Sequence, residues 1–150
     1  MNVSHILSKK GGSNYSVTAD QPLNDAVAMM AEHRIGSVVV LENGALKSIM
    51  TERDVLMALG RKGDLSQVKV SDVMAPKLIT CAAETTIDEA MDTMINNDTG
   101  RRIRHLPVVS GDEFLGMLSI GDVVEALLTK TKFENKLLKS YIQNWPDEEG

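Results

Sequence analysis

The sequence predicts an α/β fold of two pseudo-symmetric halves, each a short lead-in strand, a helix, two strands and a second helix, packed as one compact module with a C-terminal helical extension. Two observations predict it. A phrase in which an apolar strand ends on a hydroxyl residue, with Asp three positions later opening a helix, occurs twice: Ile49-Met50-Thr51-Glu52-Arg53-Asp54-Val55-Leu56 and Met117-Leu118-Ser119-Ile120-Gly121-Asp122-Val123-Val124, 68 positions apart. The amphipathic helix and hairpin before the phrase recur with it, and repeat units of this size bury their open faces against one another. The halves are placed at 1–64 and 65–130, with 131–150 as the extension.

Val3-Ser4-His5-Ile6-Leu7 resembles Val70-Ser71-Asp72-Val73-Met74, which predicts a one-turn helix leading into each half. Lys9-Lys10-Gly11-Gly12-Ser13-Asn14 reads as a loop, and it lacks the helix start and Lys-Ser/Thr of a phosphate-binding loop, so it is given no role. Val17-Thr18 is the first lead-in strand. Asp20 with Pro22 is expected to start a helix whose apolar stripe is Leu23, Ala26, Val27, Met30 and Ala31. Thr86-Ile87-Asp88-Glu89 is a capping-box signature, and Ile87, Ala90, Met91, Met94 and Ile95 repeat the stripe. At this spacing the methionines are core filler.

The β-branched run Gly36 to Leu41 turns through Asn43-Gly44 into Ala45 to Met50, a strong hairpin signal. The second half supplies His105 to Val109, a turn at Ser110-Gly111-Asp112, and Phe114 to Leu118. The offset is 64 between the helices, from Leu23 to Ile87, so the second half carries four extra residues, within Asn96 to Arg101. Beyond Asp122, Phe133, Leu137, Leu138, Tyr141, Ile142 and Trp145 continue an apolar stripe up to Pro146 and the acidic Asp147-Glu148-Glu149. That stripe either caps the chain's own core or meets another copy. The second choice, a homodimer, is favoured.

Composition narrows the function. With 150 residues, 43% hydrophobic and 25% charged, the chain is an ordinary globular one, and its net charge of −5 argues against a general nucleic-acid binder or a protein of anionic membranes. Cys81 is the only cysteine, no apolar leader follows Met1, and no uncharged run approaches the ~20 residues of a membrane span. A cytosolic protein is expected. His5, His33 and His105 fall in unrelated places and no nucleophile, metal or dinucleotide motif occurs, so no catalytic residue and no metal ligand is assigned.

The doubled phrase has two compatible roles. A hydroxyl followed three residues later by an acid caps a helix. The same pair on the lip of a strand also accepts hydrogen bonds from ribose hydroxyls, as a dinucleotide-fold acid does.

Arg34-Ile35-Gly36-Ser37-Val38-Val39-Val40 with Thr51 to Val55, and Arg102-Ile103-Arg104-His105-Leu106-Pro107-Val108-Val109 with Ser119 to Val124, closely resemble a tandem pair of CBS domains, the Bateman module named after cystathionine β-synthase. The resemblance spans about Val3 to Leu128. It implies a regulatory, energy-sensing type of unit without catalysis, with clefts between the halves for AMP, ADP, ATP, NAD or S-adenosylmethionine. It implies ribose contacts from Thr51 and Asp54 and from Ser119, Ile120 and Asp122. Adenine would lie against Gly36, Ser37, Val38 and Val39 and against His105, Leu106 and Pro107, with Thr18 and Thr80, on the two lead-in strands, lining the clefts.

The two copies differ. Ser48 stands where the family usually has Gly, matched here by Gly116, and is expected to crowd the first cleft. Arg53 is the cation of the first phrase, expected to reach across the pseudo-dyad. Arg101, Arg102, Arg104 and His105 form a basic island, either a solvated turn or a phosphate clamp. The second cleft is therefore expected to be the better nucleotide site. The leading function is an adenine-nucleotide sensor acting on a separate, unknown protein. The alternatives are a structural dimerisation module with vestigial clefts and a nucleic-acid binder using the Arg101–Arg104 island.

Overall fold

In the computed structural model, which describes residues 1–10 and 15–143, each half builds a three-stranded sheet. The first has β1 (Ser16–Thr18) parallel to β2 (Ser37–Glu42) and β2 antiparallel to β3 (Ala45–Thr51), with α2 (Leu23–His33) before the hairpin and α3 (Glu52–Lys62) after it. The second repeats this with β4 (Cys81–Ala82), α4 (Ile87–Ile95), β5 (His105–Ser110), β6 (Glu113–Ser119) and α5 (Ile120–Gln143). α1 (Val3–Lys10) leads the chain, and a 3-10 turn at Val70–Asp72 joins the halves. β3 packs against β6.

The repeat extends to local detail. Val38, Val39 and Val40 are buried on β2 as Leu106, Pro107 and Val108 are on β5, and each hairpin slips register at the equivalent point, Val40/Leu41 and Val108/Val109. Asn43 and Gly44 take φ of 53° and 81°, the paired left-handed residues of a two-residue hairpin turn. On α2 and α4 the stripe buries Leu23, Ala26 and Met30, and Ile87, Ala90 and Met94, while its last members Ala31 and Ile95 are exposed.

The lead-in segments are exchanged between the halves. The Val3 and Ser4 N–H groups donate to the Thr85 and Ala83 carbonyls, and Val3 is fully buried in the second core. The Val70 and Ser71 N–H groups donate to the Gln21 and Ala19 carbonyls, and Val70 is fully buried in the first core. Each core is therefore closed by the segment that precedes the other half in sequence, which makes one module of the two.

Three local expectations are corrected. α1 has eight residues, so it takes in Lys9 and Lys10, which composition had put in a loop. Asp20 does not start α2: Pro22 stands at the N-cap without a side-chain bond, and Asp20 accepts the Thr18 hydroxyl at 2.8 Å. Thr80 lies outside the second lead-in strand. Val39 donates its N–H to the Tyr15 carbonyl, but its counterpart Pro107 has no N–H, and β4 begins only at Cys81.

α5 runs without a break from the second phrase through the extension, and Phe133, Leu137, Leu138, Tyr141 and Ile142 remain 55–62% exposed on it. These side chains do not cap the chain's own core. Trp145, the acidic tail and Gly11 to Asn14 lie outside the described residues. No helix among the described residues is long and apolar enough to cross a membrane.

Candidate ligand cleft

Each repeated phrase forms a reciprocal cap. The Asp54 N–H donates to the Thr51 hydroxyl at 3.4 Å, and Asp54 accepts from the Thr51 N–H at 2.9 Å and from its hydroxyl at 3.1 Å. The Asp122 N–H donates to Ser119 Oγ at 3.1 Å, and its carboxylate accepts the Ser119 N–H at 2.9 Å. The acids thereby offset orphan donors and the positive end of the helix dipole.

A cleft of about 320 Å³ opens between the halves, at the small end of the roughly 300–1,000 Å³ typical of ligand pockets. It is composite. Gly36, Ser37, Val38 and Val39 come from the first half, His105 and Ser119 from the second, and Leu7 and Lys10 from α1. Asp122 lines a neighbouring groove of about 280 Å³ between α1 and α5, and Lys10 is the wall common to both. Lys10 Nζ donates to Asp122 Oδ2 and to the Met117 carbonyl, each at 2.9 Å.

The close approach of α1 depends on Gly116. A Cβ there would stand 2.9 Å from Leu7 Cδ2, so glycine lets Leu7 settle on β6 without its side-chain end having to shift; Lys10, one turn on, reaches Asp122. In the first half Ser48 takes the place of Gly116. It is buried, and its hydroxyl donates to the Ala75 carbonyl at 2.7 Å, while the Ala75 N–H donates to the Ile49 carbonyl. The carbonyl that a backbone N–H satisfies at Ile49 is thus satisfied by an ammonium at its counterpart, Met117.

Burial pushes the Asp122 carboxyl up, but the Ser119 N–H and the Lys10 ammonium outweigh it and hold the carboxyl below its ordinary range. Burial pushes His105 down, as do the Lys10 and Arg104 cations, against the pull of Glu52 and Asp122. Burial and these cations favour the neutral form of the His105 ring, which lines the cleft.

The other expected site residues are dispersed. Thr18 is tied up locally, its hydroxyl on Asp20 and its N–H on Gln21 Oε1. Leu106 and Pro107 are buried and do not line the cleft, and Ile120 donates its N–H to the Arg104 carbonyl. Thr80, Arg53, Arg101, Arg102 and Arg104 are exposed, and no ion pair engages these arginines among the described residues. The four-residue insertion is an ordered turn in which the Asn97 amide donates to the Thr93 and Arg101 carbonyls. Among the described residues no His, Cys, Asp and Glu cluster is able to hold a metal.

Lys10 and Tyr15 were missed from the sequence. Tyr15 lines the cleft and stacks on His33 with ring centroids 4.0 Å apart. The signal for Lys10 was the helical spacing Val3, Leu7, Lys10, continued through residues that resemble a loop.

The comparisons agree with this architecture. A mitochondrial CBS domain-containing protein of Arabidopsis thaliana is 40% identical over 151 residues, covering 94% of this chain and 71% of the relative. The solved structure of a CBS-domain protein from Agrobacterium tumefaciens, 35% identical, superposes with a TM-score of 0.75 over 84% of this chain and 98% of that one. A CBS domain pair solved with 5′-methylthioadenosine and S-adenosyl-L-methionine has the same fold at 19% identity, with a TM-score of 0.73 over 87% of this chain and 98% of that one. The CBS domain model matches residues 3–61 and 70–129. With both halves matched and exchanging their lead-in segments, this chain belongs to the CBS domain family as a tandem pair.

Proposed function

We propose that the chain is a regulatory module that binds an adenosine derivative, among AMP, ADP, ATP, NAD and S-adenosylmethionine, and modulates a separate protein. The observation that carries this reading is the composite cleft, whose Ser119 hydroxyl and His105 ring from one half face the apolar strand start Gly36 to Val39 of the other. A base against the strand start would leave the ribose toward Ser119 and Asp122. Closing on a ligand that both halves touch gives the module a means of changing shape. The pair solved with two adenosine derivatives supports this ligand class. A cytosolic location, read from the single cysteine Cys81, is part of the same proposal.

Calorimetry with these five ligands tests the reading, and at least one is expected to bind. At a hundredfold excess over its dissociation constant that ligand should add about 2.7 kcal/mol of stability. Asp122→Asn should weaken binding about tenfold to a hundredfold, because a charged acceptor is lost, while costing the helix start only ~1 kcal/mol. The absence of both binding heat and a rise in melting temperature with all five at millimolar concentration would favour a structural dimerisation module instead.

A further inference from the structure

We propose that Lys10 is a phosphate-binding residue that makes the composite cleft select phosphorylated adenosines over neutral or cationic ones. The inference rests on the adenosine-derivative reading above and names the ligand class within it. Lys10 Nζ bonds Asp122 Oδ2 and the Met117 carbonyl, which uses two of its three N–H donors among the described residues. It forms the wall between the composite cleft and the groove that Asp122 lines. A ribose reaching both Ser119 and Asp122 must displace or share this ammonium.

An anionic tail offers the displaced ammonium a replacement for the carboxylate it gives up. A neutral nucleoside offers none, and a sulfonium adds a second cation beside it. The Lys10 side chain is 41% exposed and its Asp122 partner 20%, so the pair is solvated enough to be exchanged rather than locked. The role is confined to one half. Lys77, which follows Val70 by the spacing with which Lys10 follows Val3, pairs instead with the exposed Asp98 at 3.3 Å.

Titration of AMP, adenosine and S-adenosylmethionine into wild type, Lys10→Met and Lys10→Arg tests the assignment, with a thermal melt of each to verify folding. Wild type is expected to bind AMP at least about tenfold tighter than adenosine. Lys10→Met should bring AMP to within about threefold of adenosine without weakening adenosine, and Lys10→Arg should restore most of the preference. If adenosine binds and Lys10→Met keeps the wild-type ratio of AMP to adenosine, the role of Lys10 is wrong and the site stands. If S-adenosylmethionine binds wild type as tightly as AMP, or alone, this inference falls and the site reading stands; if none of the three binds, and ADP, ATP and NAD do not either, both fall.

Discussion

The Ser48 hydroxyl reaches the Ala75 carbonyl at 2.7 Å from a buried position on β3, and so fastens the segment joining the halves to the first sheet. At the equivalent place in the second half, Gly116 leaves room for the Leu7 side chain. The first half's edge is thus closed by a backbone N–H at Ile49, and the second's by the Lys10 ammonium at Met117.

The first prediction follows from that bond. Ser48→Ala leaves the Ala75 carbonyl without its donor and should cost about 1–3 kcal/mol, a drop of roughly 2–12 °C in melting temperature for a chain of this size. Ser48→Thr keeps the donor but adds a methyl to a packed site, so it should also lose stability. A thermal melt of Ser48→Ala that coincides with wild type would show that the bond contributes nothing.

A second prediction concerns pH. His105 is held below its ordinary range first by burial and then by Lys10 and Arg104. Between its folded and unfolded values the unfolded chain binds more protons, so the neutral ring contributes stability above about pH 6.5 that is lost as pH falls toward the folded value. Asp122 has the same sense in a lower window: its depressed carboxyl stabilises above about pH 3.9, and that stability is lost on further acidification. Melting temperature followed from pH 7.5 to 5.5 should therefore fall less steeply for His105→Gln than for wild type. Parallel curves would remove His105 as the source, and an NMR titration of its ring that gives an ordinary midpoint would do the same.

Much of the fold was legible because each element carries its own signal. The β-branched run at Val38 to Val40, the Asn43-Gly44 turn and the Thr86/Glu89 cap all act over a few residues, and each appears where its chemistry puts it. What was not legible depends on contacts between distant segments. Nothing local marks Val3 as a plug for the core of the second half. Nor does Lys10 announce Asp122, since the pair is 112 positions apart. The short β4 lies between these cases. Pro107 was visible in sequence, but its effect on Thr80 emerges only once the parallel register is known.

The last prediction concerns α5, where the exposed side chains form one side of a long helix. Phe133, Leu137 and Tyr141 follow at four-residue intervals, with Leu138 and Ile142 beside them, all at least 55% exposed. A patch this apolar on one chain fits an interface, and a homodimer buries it with a matching patch related by a twofold axis. Phe133→Ala with Trp145→Ala should weaken association by ~2 kcal/mol or more, about thirtyfold in the dissociation constant. Because Phe133 leaves the intrachain cores untouched, the melting temperature of the dilute variant should stay within a few degrees of dilute wild type. Sedimentation over a concentration series checks both: a wild type that remains monomeric, or a double variant that stays dimeric while melting lower, would assign the stripe to something other than a second copy.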